Sequence, residues 1–360
     1  NGQVSQVSHR NGVTVTQGRD PNFMSRPASI STSGVSGGGN WVSGQYVFDG
    51  SGNVVRTGGS LHLYDKVSRV KSARVMLTPS GSVAPSALSG AYPENMELIF
   101  ADGFESGSTS AWTVPGGPTS GSQEFVYDAF GNLIEIIGDP GRAIPTNSAT
   151  NRLTATPNPY DTAGNLILWN GNSYSYGPFN ETWRVVTSNQ EWVHIYTADD
   201  ERLISLQVVG GEKNRWTLRG LDNRVLREFL YDRATSTGVI ERDNIYRGSG
   251  PLLAAATPAG DRHFHVDHLG TPRQITDASG AQVAFHTYFP YGEEATDPTQ
   301  DTIRYKFTGH ERDLGDPAST QDDLDHMHAR MTNPKLGRFL SVDPVGGRPA
   351  RPQSWNRYSY

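Results

Sequence analysis

Four residues close together, His263, His265, Asp267 and His268, are of the types that most often hold a divalent transition metal. Alternate residues of a strand share a face, so His263, His265 and Asp267 would point the same way. Two imidazoles and a carboxylate can bind zinc. The same residues serve equally well as ordinary strand and turn positions, and that is the favoured reading, as it is for His326 and His328. A second acidic group, Asp313, Asp316, Asp322, Asp323 and Asp325, lacks the alternating ligands and central glycine of a calcium loop. A solvated acidic loop is expected there. No Gly-Lys-Ser/Thr phosphate loop occurs. With Cys 0, disulfides, cysteine nucleophiles and thiolate metal sites are ruled out. The expectation is no metal and no cofactor.

The elements that must position these residues are strands. Of 360 residues, 35% are hydrophobic, Gly numbers 40, and Tyr 15, Phe 13 and Trp 7 supply apolar area in few side chains. This mixture suits many short strands with frequent turns, not helices and not simple disorder. Net charge is −6 with no long basic run, so nucleic acid is not an expected partner. No run of 18 apolar residues exists, so no membrane span is expected. Asn1 rather than Met opens the sequence, as in a processed protein or a stretch of a longer polypeptide.

One unit recurs. Tyr46-Val-Phe-Asp-Gly-Ser-Gly-Asn-Val-Val-Arg56 sets two apolar arms around an Asp/Gly/Asn turn. It returns as Tyr127-Asp-Ala-Phe-Gly-Asn-Leu-Ile134, as Tyr160-Asp-Thr-Ala-Gly-Asn-Leu-Ile167 and, more loosely, at Tyr196–Ile204. Tyr231-Asp232 and Tyr246-Arg247 are expected to open further strands. One hairpin cannot bury its own face, so successive hairpins must stack. Residues 60–120 read as irregular, with a strand and turn at Glu97–Gly107 and breaks at Pro115–Gly121 and Asp139–Pro145. Strands are expected at Thr182–Val186, Trp192–Tyr196, Leu203–Val209, Trp216–Leu218 and Val225–Leu230. The only helical expectations are short ones at Leu252–Ala256 and Asp322–Met331.

The last hundred residues carry six ordered blocks. His265-Val-Asp-His-Leu-Gly-Thr-Pro-Arg-Gln-Ile-Thr-Asp-Ala-Ser-Gly280 is the longest. Tyr288-Phe-Pro-Tyr-Gly-Glu293, Phe307-Thr-Gly-His-Glu311, Ala329-Arg330, Asn333-Pro334 and Gly337-Arg-Phe-Leu-Ser-Val-Asp-Pro344 follow. Together with the Tyr-Asp-x-x-Gly-Asn-Leu repeats they resemble the Rhs/YD-repeat proteins: the repeat-associated core domain of bacterial polymorphic toxins and of the Tc toxin C subunit.

The resemblance implies an all-β fold of antiparallel YD hairpins, stacked into a spiral sheet or shell wall and closed by the core domain. It also implies enclosure of a C-terminal toxin and its release by self-cleavage. The family's pattern has an Arg, an Asp thirteen residues on, and a second Asp in a later Asp-Pro-x-Gly motif. Arg330 and Asp343 match the first two places, and the third falls past Tyr360. The implied chemistry is aspartyl-type peptide hydrolysis, in which one carboxyl keeps a proton while the other activates water. No turnover is expected from this chain alone. The commoner family form has an Arg-Tyr-Tyr-Asp-Pro run where this sequence has Arg330-Met-Thr-Asn-Pro334, which alters the packing expected around the cleavage site.

Three regions follow: a Gly/Ser-rich β leader with one YD-like hairpin over 1–120, a YD-repeat sheet over 121–257, and the core domain over 258–360, truncated at its C-terminal end. Expected partners are a toxin passenger in the parent polypeptide, a secretion-system or cell-surface component, and other copies through sheet edges. The expected location is secreted or at the cell surface. Two other functions fit. A structural surface or filament protein would use unpaired strand edges to assemble. A carbohydrate-binding or adhesion module would stack sugars on Trp169, Trp183, Trp192 or Trp216, for which core packing is the simpler role.

Overall fold

The computed structural model describes residues 4–37, 39–79, 120–138, 140–209, 211, 213–248, 250–313, 323–348 and 352–360. Glu97–Gly107, most of Pro115–Gly121, Asp139, Asp316 and Asp322 lie outside them.

The named strands of the described chain all pair antiparallel, and the helical elements are two 3-10 turns at Phe307–Gly309 and Pro352–Trp355. Strands β1 (Gln6–Ser8), β2 (Thr14–Arg19) and β3 (Pro27–Ser33) form a small leader sheet. A seven-stranded meander follows: β4 (Tyr46–Phe48), β5 (Val54–Thr57), β6 (Ser60–Tyr64), β7 (Val70–Met76), β8 (Ser120–Tyr127), β9 (Leu133–Gly138) and β10 (Arg142–Ala143). A short hairpin, β11 (Thr146–Asn147) with β12 (Arg152–Leu153), leads to a twelve-stranded meander. Its strands are β13 (Leu168–Trp169), β14 (Asn172–Tyr176), β15 (Thr182–Val186), β16 (Glu191–Tyr196), β17 (Arg202–Val209), β18 (Lys213–Arg219), β19 (Val225–Asp232), β20 (Thr237–Tyr246), β21 (Leu252–Ala256), β22 (Arg262–Val266), β23 (Pro272–Asp277) and β24 (Gln282–Phe285). The chain closes with a four-stranded sheet, β25 (Glu311–Asp313), β26 (Leu324–Met327), β27 (Arg330–Asn333) and β28 (Arg338–Phe339).

Several expectations change. Leu252–Ala256 is strand β21, and the stretch around Asp322–Met331 holds strands β26 and β27, so neither is helical. In both, a partner strand supplies the backbone bonds that a lone short helix would have to find within itself. Residues 60–76 are not irregular but carry β6 and β7. Tyr231-Asp232 and Tyr246 end strands rather than opening them.

The repeat motif is a turn. In Asp128–Asn132 the first residue's N–H donates to the fifth carbonyl at 3.0 Å, and the fourth N–H donates to the first carbonyl at 3.1 Å. The Asp128 carboxylate accepts from the amides of Phe130 and Asn132, both at 2.9 Å. The fourth residue, Gly131, sits at φ +81° and the register slips beside it, the geometry of a type I turn with a bulge. Asp49–Asn53, Asp161–Asn165, Asp267–Thr271 and Asp277–Ala281 repeat this pattern. Asp65–Arg69 does so with Ser68 in the left-handed place, and Thr197–Glu201 with Asp200 there.

The tyrosine before the turn has its own task. The hydroxyls of Tyr64, Tyr127, Tyr176, Tyr196 and Tyr246 donate to the carbonyls of Val54, Val70, Leu166, Thr182 and Val225. Each acceptor is the residue just past the preceding rim turn, so these five turns are each bonded to the one before. A neutral bond of this kind contributes about 1 kcal/mol.

The meanders wrap the terminal sheet. Their Ala73, Phe125, Leu133, Ile136, Leu166, Tyr174 and Val185 share one buried cluster with Leu324, Met331, Leu336 and Leu340 from the chain's last part. The leader sheet reaches the same end, through a parallel bridge from Ser36 to Ala281 and a bond from the Asn11 amide to Thr276. The opposite face of β16 to β20 is unlike an ordinary wet face. Ile195, Ile204, Trp216, Phe229 and Ile240 stand opposite one another across five strands, and all but Ile204 are exposed.

Candidate functional site

Strand β27 begins at Arg330, directly after a tight turn in which His328 takes φ +56°. The Arg330 guanidinium lies 3.7 Å from the Phe339 ring centroid and donates from Nη2 to Asp343 Oδ2 at 3.1 Å. Its Nη1 is buried without a protein partner. Burial pulls the Arg330 guanidinium below its usual value, and Asp343 acts against that. The Asp343 side chain is 34% exposed, so water reaches it. Its other oxygen accepts from the Val345 amide at 2.8 Å.

The backbone of Asp343 is held by the last residues. Its N–H donates to the Arg357 carbonyl at 2.9 Å, and its carbonyl accepts from Arg357 Nε at 2.7 Å. The structure therefore brings Arg330 and Asp343 together, although no sequence argument placed Arg357 beside them. Asp343 is the one carboxylate that the described residues ion-pair with Arg330. A lone carboxylate can take or give a proton, and water-activated peptide hydrolysis of the aspartyl type needs a second.

The histidines go elsewhere. His263 Nδ1 lies 3.3 Å from His9 Nδ1, and His265 Nε2 lies 2.9 Å from Thr276 Oγ1. Asp267 caps its turn through the amides of Leu269 and Thr271, and His268 packs edge-on against Tyr46. Burial pushes His9 down to about 4 and His265 to about 3, so both are neutral at pH 7. Among the described residues no group of three or more such side chains is arranged to hold a metal. His328 Nδ1 meets the buried Glu201 carboxylate at 2.5 Å. With Arg219, His310 and His326 they border a cavity of about 580 Å3 between the leader, the long meander and the terminal sheet.

The acidic stretch is not a solvated loop where it is described. Asp313 pairs with Arg202 at 2.5 Å and with Arg304 at 2.8 Å, and Arg202 also meets Glu311 at 3.1 Å. Burial pushes Glu311 and Asp313 up, but the surrounding guanidinia outweigh it and hold both carboxyls far below the usual range. Asp325 is fully buried against Arg312. The Arg202 pairs tie the terminal sheet to β17, and charge count alone gave no sign of these partners. Of the four tryptophans, Trp183 and Trp216 are exposed, while Trp169 packs on the main core.

A family model described as RHS protein matches residues 262–283, which are β22, β23, the turns after each and the start of β24. The tRNA3(Ser)-specific nuclease WapA of Bacillus spizizenii is 27% identical over 251 residues, covering 66% of this chain and 10% of the relative. The double-stranded DNA deaminase toxin A of Burkholderia cenocepacia is 22% identical over 276 residues, covering 62% of this chain and 18% of the relative. A crystal structure of TcdB2-TccC3-Cdc42 superposes with a TM-score of 0.69 at 17% identity, over 99% of this chain and 18% of that one. The chain thus spans a tenth to a fifth of the length of these relatives. No described helix is long and apolar enough to cross a membrane. Repeat turns, family match and superposition agree: the chain carries Rhs-type sequence at residues 262–283 and has the all-β fold of the Tc toxin shell structures.

Proposed function

We propose that this chain is the closing segment of the β-shell of a secreted Rhs-type polymorphic toxin, and that Arg330 and Asp343 belong to an aspartyl-type site that cuts the parent polypeptide to free a C-terminal toxin. The observation that carries this is the seating of the pair. A water-accessible Asp343, held by Arg330 and by its own backbone, lies at the terminal sheet around which the repeat sheets wrap. A passenger of 100 residues has a radius of gyration of about 13 Å. The 580 Å3 cavity holds only something the size of a small ligand. Enclosure of a toxin therefore calls on wall beyond the described residues.

Expression of the parent polypeptide, intact and as Asp343→Asn, followed by mass spectrometry of the products, tests the site. Two fragments from the first and one uncut chain from the second are expected. Cutting that survives the substitution would remove Asp343 from the mechanism.

A second reading rests on the exposed apolar row from Ile195 to Ile240. Salivary gland surface protein 1 of Aedes aegypti is 30% identical over 102 residues, 27% of this chain and 3% of that protein. A surface or filament role would let such a row pack between copies. Sedimentation that shows concentration-dependent assembly, abolished by Trp216→Lys, would favour it.

A further inference from the structure

The residues after the 3-10 turn at Pro352–Trp355 lie against the turns of two repeats. Asn356 Nδ2 donates to Asn132 Oδ1 at 2.9 Å, and both residues are buried. Asn132 is the last residue of the Asp128 turn, and its own amide is already spent on Asp128 and Asn151. The Tyr358 hydroxyl donates to the Gly164 carbonyl at 2.6 Å, and Gly164 is the left-handed residue of the Asp161 turn. A Cβ on Gly164 would lie 3.1 Å from that hydroxyl, so the bare backbone is what admits Tyr358. The approach to Asp343 is held as well, since the Leu166 amide, just past the same turn, donates to the Leu340 carbonyl at 2.8 Å.

Between these anchors sits Arg357, bonded through its backbone and its guanidinium to Asp343. Asn356 and Tyr358 lie one on each side of it. These contacts join residues 224 and 194 positions apart in sequence. They cannot form until both repeats have been laid down and wrapped round the chain's last part, because such long loops close late.

We infer that Asn356 and Tyr358 are positioning residues that report the wrapping of the Asp128 and Asp161 repeats to Asp343. The cleavage site is set only when the wall around it is complete. This rests on the proposed role of Asp343 and adds its regulation: a partly wrapped chain would keep its passenger attached.

The test uses the full parent polypeptide with Tyr358→Phe, Asn356→Ala and, as the reference, Asp343→Asn. Tyr358→Phe removes one oxygen and leaves the ring against Tyr160 and Arg338. Misplacement by about 1 Å can cost about 100-fold in rate, so a fall of about 10- to 100-fold in cleavage is expected for each of the first two variants. Hydrogen exchange should show lost protection at the Asp343 amide, with unchanged protection in β22 and β23 and a thermal midpoint lowered by only a few degrees. A merely structural role would lower the midpoint likewise and leave the rate alone. Parental cleavage rates in both variants, with Asp343→Asn uncut, would overturn the inference and leave the site standing. If Asp343→Asn still cuts, the site is wrong, and retained protection of the Asp343 amide in Tyr358→Phe would then overturn the clasp on its own.

Discussion

The terminal sheet holds two Arg–Asp pairs with the same spacing and opposite characters. Arg312 and Asp325 are thirteen residues apart, as are Arg330 and Asp343. The first pair is fully buried and two-pronged, with Nε to Oδ1 at 2.6 Å and Nη2 to Oδ2 at 2.9 Å. A further Arg312 bond goes to the Gly292 carbonyl. The second pair has one bond of 3.1 Å, an unpartnered Nη1 and a carboxylate open to water. Burial lowers Arg312 too, but Asp325 outweighs it and the guanidinium ends above its usual value, whereas Arg330 ends below. One pair has spent its hydrogen-bonding capacity on the fold, and the other has kept some. Identical residue types at identical spacing therefore do not fix a role. The surrounding packing does.

The largest effect should come from the saturated pair. Arg312→Ala leaves Asp325 as a bare charge in the interior and should cost about 3–5 kcal/mol in urea unfolding. A loss below about 1 kcal/mol would break the contrast between the pairs.

Acid should act next, and on the buried side. His326 stands opposite Glu311 in the register, and burial followed by Arg202 holds its imidazole well below the usual value. Burial and Arg202 push the nearby His194 down to about 3. A base whose folded pKa lies below its unfolded value of about 6.5 binds more protons when unfolded. Stability should thus be intact above about pH 6.5 and fall as pH drops toward 4, by up to about 1.4 kcal/mol per pH unit for each such histidine. Urea titrations at several pH values check this. Asp343→Asn should show the parental slope, and a flatter one would tie the open pair to the buried network.

Arg330→Ala removes the cation over Phe339 and the single bond to Asp343, and should cost about 1–2 kcal/mol. Asp343→Asn should cost no more than about 1 kcal/mol, because a half-open pair is screened by water. In 1 M salt that small cost should vanish, while the cost of Arg312→Ala should persist. An effect of Asp343→Asn as large as that of Arg312→Ala would make the two pairs the same kind of object.

Much of this was legible beforehand where local chemistry decides. The turns at Asp49, Asp128 and Asp161 follow from Asp, Gly and Asn at fixed offsets, and the strand at Thr182–Val186 falls where alternation put it. The Asp65 turn escaped notice because Ser68 and Arg69 replace Gly and Asn while keeping the same bonds. The short helices at Leu252 and Asp322 failed because a partner strand, unseen in one dimension, satisfied the backbone. At the site, the family resemblance proposed Arg330 with Asp343, and the structure brings them together. Arg357, Asn356 and His9 were invisible because their partners lie some 14, 224 and 254 residues away.

The tyrosine ladder along the rim has a consequence for how such proteins change size. Five tyrosines bond the turn before their own in the same way, so the junctions they make on that rim are of one kind. Whole two-strand units can be duplicated or deleted between rungs and leave matching ends on both sides. Length is then free to drift by increments of one hairpin, with the terminal sheet and its anchoring turns as the part that has to stay constant.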